Sequence, residues 1–318
     1  MKKLNMIFRR IKPYKKGYLK VSDGHKLYYE LCGNAKGKPV LVLHGGPGAG
    51  INAKMRCYFN PKVWNIILFD QRGAGKSKPF ASTKANTTQK LVQDIDILLK
   101  VLKIKKVFLF GGSWGSTLAL VYAIRNPEKI AGMLLRGIFL ASKEEIDYFY
   151  KGGVKNHFPD AWERFVKIVP KKYQNNIINY YFKQMNSENN KIKNKFTYEW
   201  AYYEMSLLKI KSDKKQIEKM MKEYNYKSLS MLEAYYMRNN CFLPNNYILN
   251  NINKIAKIPV SIVHGRYDIV CPVINAFKLH KKLKNSVLNV VLAGHAASEP
   301  EIIDKLVSEM QRFSKLKY

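Results

Sequence analysis

The sequence predicts an α/β fold, with a mostly parallel central sheet, helices on both faces and a helical region inserted late in the chain. Three observations predict it. Short apolar runs such as PVLVL (39–43), WNIILF (64–69) and VFLF (107–110) have the texture of strands buried on both faces. Segments with helical apolar spacing alternate with them, as βαβ units require. From about residue 142 to 245 the strand pattern stops and aromatic residues and Met rise, until PVSIV (259–263) resumes it. Residues 1–141 and 246–318 are therefore expected to form the core domain, and 142–245 an inserted helical domain.

In chain order, YLKVSDGHKLYYEL (18–31) reads as two short strands around the turn Ser22-Asp23-Gly24. The strand 39–43 runs straight into His44-Gly45-Gly46-Pro47-Gly48, and the strand 64–69 into Asp70-Gln71-Arg72-Gly73. Leu91, Ile95, Leu98, Leu99 and Leu102 mark an amphipathic helix over 89–102. After the strand ending near Phe110 come a helix over 116–125 and a strand over 131–135. The inserted region suggests helices at 160–168, 171–185, 196–209, 213–224 and 227–238. The core then closes with a helix near 273–283, a strand over 287–292 and a helix over 299–316.

Composition narrows the function. The 318 residues carry a formal net charge of +33, eight of the Lys and Arg falling in the first twenty residues. The excess is mostly Lys, accompanied by many Asn and Ile, which reads as compositional drift as much as a polyanion site. No zinc-finger, P-loop or RNA-binding signature accompanies it, so no specific nucleic-acid partner is expected. No run of eighteen apolar residues or signal-peptide core occurs, so no membrane partner is expected. Cys32, Cys57, Cys241 and Cys271 form no CxxC pair or disulfide framework, which fits a cytoplasmic protein. The histidines have no metal-site spacing, so neither metal nor other cofactor is expected.

The chemistry-bearing motif is Gly111-Gly112-Ser113-Trp114-Gly115, a G-x-S-x-G between an apolar strand and a helix. A nucleophile on so sharp a turn needs small neighbours, and the following helix start points free N–H groups at the serine. Asp268 in HGRYDIVCP and His295 in LAGHAASEP each follow a later strand, and so reach the same sheet edge as Ser113. The order Ser…Asp…His is that of a nucleophile elbow with its acid and base. The oxyanion hole is expected from the N–H of Trp114 and one from the 44–48 loop. Pro47 has no N–H, so Gly45 or Gly46 donates, and Gly46 is preferred.

HGGPG (44–48), DQRGAGKS (70–77), GGSWGSTLAL (111–120), LRGIF (135–139), FPDAWE (158–163), GRYDIVCP (265–272) and GHAASEP (294–300) together resemble the prolyl aminopeptidase, or proline iminopeptidase, family. The resemblance spans nearly the whole chain from Tyr18. It implies an α/β-hydrolase fold with a helical cap, and release of N-terminal proline from small peptides by a serine mechanism. It matches the triad Ser113, Asp268 and His295, and implies that Glu204 and Glu233 of the cap bind the substrate's free amine. It also implies a proline pocket including Phe139, Phe149 and Met237, the last standing where an aromatic is common. The alternative is a broader aminopeptidase, or a small-acyl esterase or amidase, on the same fold. A non-catalytic binder using the basic surface is disfavoured by the intact triad.

Overall fold

The computed structural model describes residues 7–211, 213–223 and 225–316. Eight strands form one sheet: β1 (Lys15–Lys20), β2 (Lys26–Gly33), β3 (Lys38–Leu43), β4 (Trp64–Phe69), β5 (Val107–Ser113), β6 (Ile130–Ile138), β7 (Val260–Gly265) and β8 (Ser286–Val291). Their order across the sheet is β1-β2-β4-β3-β5-β6-β7-β8. β1 and β2 join antiparallel, and every pairing from β4 to β8 is parallel. The Lys-rich opening segment begins at residues 1–6, outside the described residues, and continues into β1.

Period-two alternation sends each strand's side chains to two cores. Leu41, Leu43, Ile67, Phe69 and Leu109 pack with helices α1 (Thr88–Val101) and α2 (Trp114–Arg125). Val40, Val42, Ile66, Leu68, Phe108 and Phe110 pack on the opposite face, where the terminal helix supplies Leu306, Met310 and Phe313. Each such buried apolar side chain contributes about 1.5–3 kcal/mol. α2 is apolar on all sides because every residue from Trp114 to Ile124 is buried. That helix fixes the serine turn rigidly in the middle of the domain.

Between β6 and β7 lie α3 (Lys143–Tyr150), α4 (Pro159–Lys167), α5 (Ile177–Met185), α6 (Asn190–Leu207), α7 (Lys214–Glu223) and α8 (Tyr226–Arg238), and no strand among the described residues. A short α9 (Tyr247–Asn251) leads back to β7, and α10 (Ile274–Lys282) and α11 (Pro300–Ser314) flank β8. Stacked rings hold the inserted helices together. Phe165 lies between Tyr181 and Tyr203 at centroid distances of 4.5 and 4.3 Å.

Three local readings change. The helix expected over 171–185 is a 3-10 turn followed by α5, because Asn176 adopts a non-helical backbone between them. α6 starts at Asn190 rather than 196, where the Asn189 side chain caps the N–H groups of Lys191 and Ile192. α3 is an additional helix, opened by a capping box between Ser142 and Glu145. The helix expected over 213–224 is α7 (Lys214–Glu223), residue 224 lying outside the described residues. None of the helices among the described residues is long and apolar enough to cross a membrane.

Candidate active site

β5 ends at Ser113 and α2 begins at Trp114, with no residue between them. This forces Ser113 into φ 56°, ψ −128°, a region disfavoured for residues with a Cβ. Strain of about 1–3 kcal/mol is stored in such a turn. The flanking glycines are required by contact. A Cβ on Gly111 would collide with the carbonyl of Gly115, and one on Gly115 with the carbonyl of Leu43. The strained turn is held between a buried strand and a buried helix, which together over-determine it.

His295 reaches the same edge from the loop after β8, and Asp268 from the loop after β7. His295 Nδ1 lies 2.7 Å from Asp268 Oδ2, and both side chains are buried. Asp268 Oδ1 accepts the N–H of Cys271 at 2.8 Å. Burial pushes the Asp268 carboxyl up, but His295, His264 and the Cys271 N–H outweigh it, so the net direction is down. Asp268 is thus kept ionised, as an orienting acid must be.

Two further residues, His264 and Gly137, pack against this pair. His264 Nδ1 accepts the N–H of Ile138 at 3.1 Å, leaving Nε2–H to donate to Cys271 O at 2.8 Å. Nε2 is also 3.4 Å from Asp268 Oδ2. Burial lowers the His264 pKa, so this ring is a neutral brace tying the ends of β6 and β7 to the Asp268 loop. Gly137 adopts φ 53°, and a Cβ there would stand 3.0 Å from His295 Cε1 and 3.2 Å from Nδ1. Gly137→Ala is expected to displace the imidazole, lowering kcat about 10–100-fold while costing only about 1 kcal/mol of stability. Steady-state kinetics beside thermal unfolding tests this; unchanged kcat would show that the ring tolerates the methyl.

The loop after β3 lies beside the serine. A Cβ on Gly45 would approach Ser113 Cβ to 3.5 Å, and Gly46 borders both cavities that Ser113 lines. His44 accepts the Gln71 N–H on Nε2 at 3.0 Å, and its Nδ1 is 2.9 Å from Gly45 O. Burial lowers the His44 pKa to about 4, so the ring stays neutral. Gln71 also donates from Nε2 to His44 O at 2.9 Å and accepts the Trp114 ring N–H at 2.9 Å. The Trp114 indole therefore anchors the glycine loop while its backbone follows Ser113 directly. Asp70 braces the far side of that loop by accepting the N–H groups of Ile51 (2.7 Å) and Lys76 (2.8 Å). Arg72, by contrast, makes a bidentate pair with Asp94 on α1 at 2.6 and 2.8 Å, away from the glycine loop.

Ser113 lines two cavities. The narrower includes Phe139, Phe149, Tyr150, Glu233, Met237 and Cys271. The wider includes Gly45, Gly46, Glu204 and His295. Glu204 on α6 and Glu233 on α8 are both buried and close enough to hydrogen-bond each other. Trp200 Nε1–H donates to Glu233 Oε2 at 2.7 Å, whereas Glu204 Oε2 has no partner among the described residues. Burial raises both carboxyls. Glu204 is pushed up to about 7, and Glu233, also facing the Glu204 charge, well above its ordinary value. Two adjacent buried carboxyls, one with an unsatisfied oxygen, can take up a cation, whose charge would favour their ionised forms.

All the site residues read from the sequence thus gather around Ser113. The fold adds Tyr150, which stacks on Trp200 at 4.8 Å and closes the narrow cavity. No local signal marks Tyr150; its place depends on the packing of α3 against α6. The chain matches the α/β-hydrolase fold family over residues 38–301. It is 42% identical over 313 residues to a proline iminopeptidase of Arabidopsis thaliana, covering 98% of this chain and 82% of that protein. To a probable proline iminopeptidase of Leptolyngbya boryana it is 41% identical over 312 residues, covering 98% and 97%. An esterase from Exiguobacterium antarcticum superposes with a TM-score of 0.62 at 20% identity, covering 94% of this chain and 99% of the other, a likeness of fold alone.

Proposed function

The chain belongs to the proline iminopeptidase family of the α/β-hydrolase fold, and from that premise we propose that it releases N-terminal proline from small peptides through an acyl-enzyme. Ser113 Oγ attacks the carbonyl of the first residue while His295 takes its proton. Asp268 fixes the imidazole tautomer and stabilises the imidazolium. The N–H groups of Trp114 and Gly46 receive the oxyanion. His295 then protonates the leaving amine, and finally activates the water that frees the acyl group.

The observation that carries this reading is the carboxylate pair, Glu204 and Glu233, beside the serine. An esterase has no use for two buried acids that destabilise the fold. A protonated N-terminal proline supplies both a positive charge and two N–H donors, one for each carboxylate. The pyrrolidine ring fits the apolar wall of Phe139, Phe149, Tyr150 and Met237. The helices over 142–245 act as the cap that brings Glu204, Glu233, Phe149, Tyr150 and Met237 over the core domain of residues 1–141 and 246–318. Four buried free cysteines support a reducing, cytoplasmic setting.

Four substrates test the reading: a proline anilide, an alanine anilide, an N-acetylproline anilide and an acetate ester. The proline anilide is expected to exceed the alanine anilide in kcat/KM by about 10-fold or more, and acetylation to abolish most turnover. If the acetylated substrate is cleaved as fast as the free one, the amine site is refuted and the esterase or amidase alternative stands.

The same pair predicts a trade between activity and stability. A carboxyl with a folded pKa above its unfolded value binds more protons when folded, so its stabilising contribution is lost as pH rises from about 4.5 to 7. Glu204→Gln is therefore expected to gain stability over the parent across that range, by up to about 3 kcal/mol. It is also expected to lose about 100-fold in kcat/KM on free-amine substrates. Unfolding curves at pH 4.5 and 7.5 check this; an equal stability difference at both would contradict it.

A further inference from the structure

Of the two cavities meeting at Ser113, only the wider has His295 in its wall. In the reaction proposed above, His295 hands its proton to the leaving nitrogen, so the leaving peptide extends into this wider cavity. The charges lining it are unevenly placed. Its one acid among the described residues, Glu204, is buried and belongs to the amine site proposed above. Its lysines come from three separate segments: exposed Lys54 from the turn after β3, half-buried Lys209 from the loop after α6, and exposed Lys219 from α7. The fourth cation, Arg136, donates to the His295 carbonyl oxygen.

A short free peptide has the matching polarity, an ammonium at one end and a carboxylate at the other. We propose that the wider cavity selects leaving peptides ending in a free carboxylate near the scissile bond, and that Lys54, Lys209 and Lys219 receive it. This rests on the aminopeptidase reading. Lysines act as flexible point charges, so the selection is one of charge and reach rather than of a fixed bidentate geometry.

The test compares Pro-(Gly)n acids with their C-terminal amides, from dipeptide to pentapeptide, in the parent protein. The acid is expected to exceed the amide in kcat/KM by about fivefold at one or more lengths, and the ratio to fall towards one as salt is raised. Lys54→Gln/Lys209→Gln/Lys219→Gln should lower the ratio, whereas removing the same charge at Lys36, Lys100 and Lys281 should not. If the triple variant does not fold, the three single variants replace it. A ratio of one at every length, or an equal fall in the distant-charge variant, overturns the proposal, the latter because the overall charge of +33 then explains the preference. The proline anilide carries no carboxylate. If it is inert, the aminopeptidase reading fails; if it is cleaved while the acid-to-amide ratio is one, only the carboxylate selection fails.

Discussion

Ser113→Ala is expected to lower kcat by about 10⁶-fold while the protein stays folded. The hydroxyl is the only group at the turn that can form the acyl-enzyme, and Gly111, Gly115 and the Trp114 anchor hold the turn without it. A second substitution separates catalysis from strain. At ordinary positions glycine is less stable than alanine because it loses more backbone entropy on folding. At φ 56°, ψ −128° that order reverses, because alanine keeps the Cβ that makes the conformation costly. Ser113→Gly should therefore unfold at a higher temperature than Ser113→Ala, by about 1 kcal/mol in stability, with both variants inactive. Alanine proving the more stable of the two would mean the turn holds no strain.

Asp268→Asn is expected to cost about 10⁴-fold in kcat. Asparagine keeps the shape of the site, but its neutral side chain neither holds His295 as the Nδ1–H tautomer nor stabilises the imidazolium. The position has a second duty, since Oδ1 accepts the Cys271 N–H and Oδ2 lies near the neutral His264. An amide nitrogen turned towards Cys271 would meet a second donor, so its oxygen should stay there and its NH₂ should face His295. That orientation forces the imidazole into the wrong tautomer. The loss should therefore appear in kcat far more than in KM, with near-native unfolding. A loss confined to KM would place Asp268 in substrate binding instead.

The core of the fold was legible because local chemistry reports it. Apolar runs a few residues long can satisfy their backbone only in a sheet covered on both faces, and PVLVL, WNIILF and VFLF do so as β3, β4 and β5. Inside the insertion the same reading lost definition. Asn189 and Asn176 set helix boundaries through one side-chain cap and one backbone angle, which periodicity does not register. Asp70 and Arg72, two residues apart in the chain, also turn out to brace different places. Asp70 supports the glycine loop, whereas Arg72 finds its carboxylate on α1, a partner distant in the chain.

The alternation of strand and helix is written along the chain, and so is the placing of a serine, an acid and a base after the parallel strands β5, β7 and β8. Parallel strands all point their carboxyl ends to one edge, so chain order alone brings Ser113, Asp268 and His295 there. What surrounds them emerges from long-range packing: Gly137 against the imidazole, Gln71 between the Trp114 ring and the glycine loop, Tyr150 in the narrow cavity, and Glu204 against Glu233. The physical reason is range. Hydrophobic spacing encodes which face of an element is buried, but the meeting of two carboxyl side chains on α6 and α8 depends on how those helices cross. No local pattern carries that information.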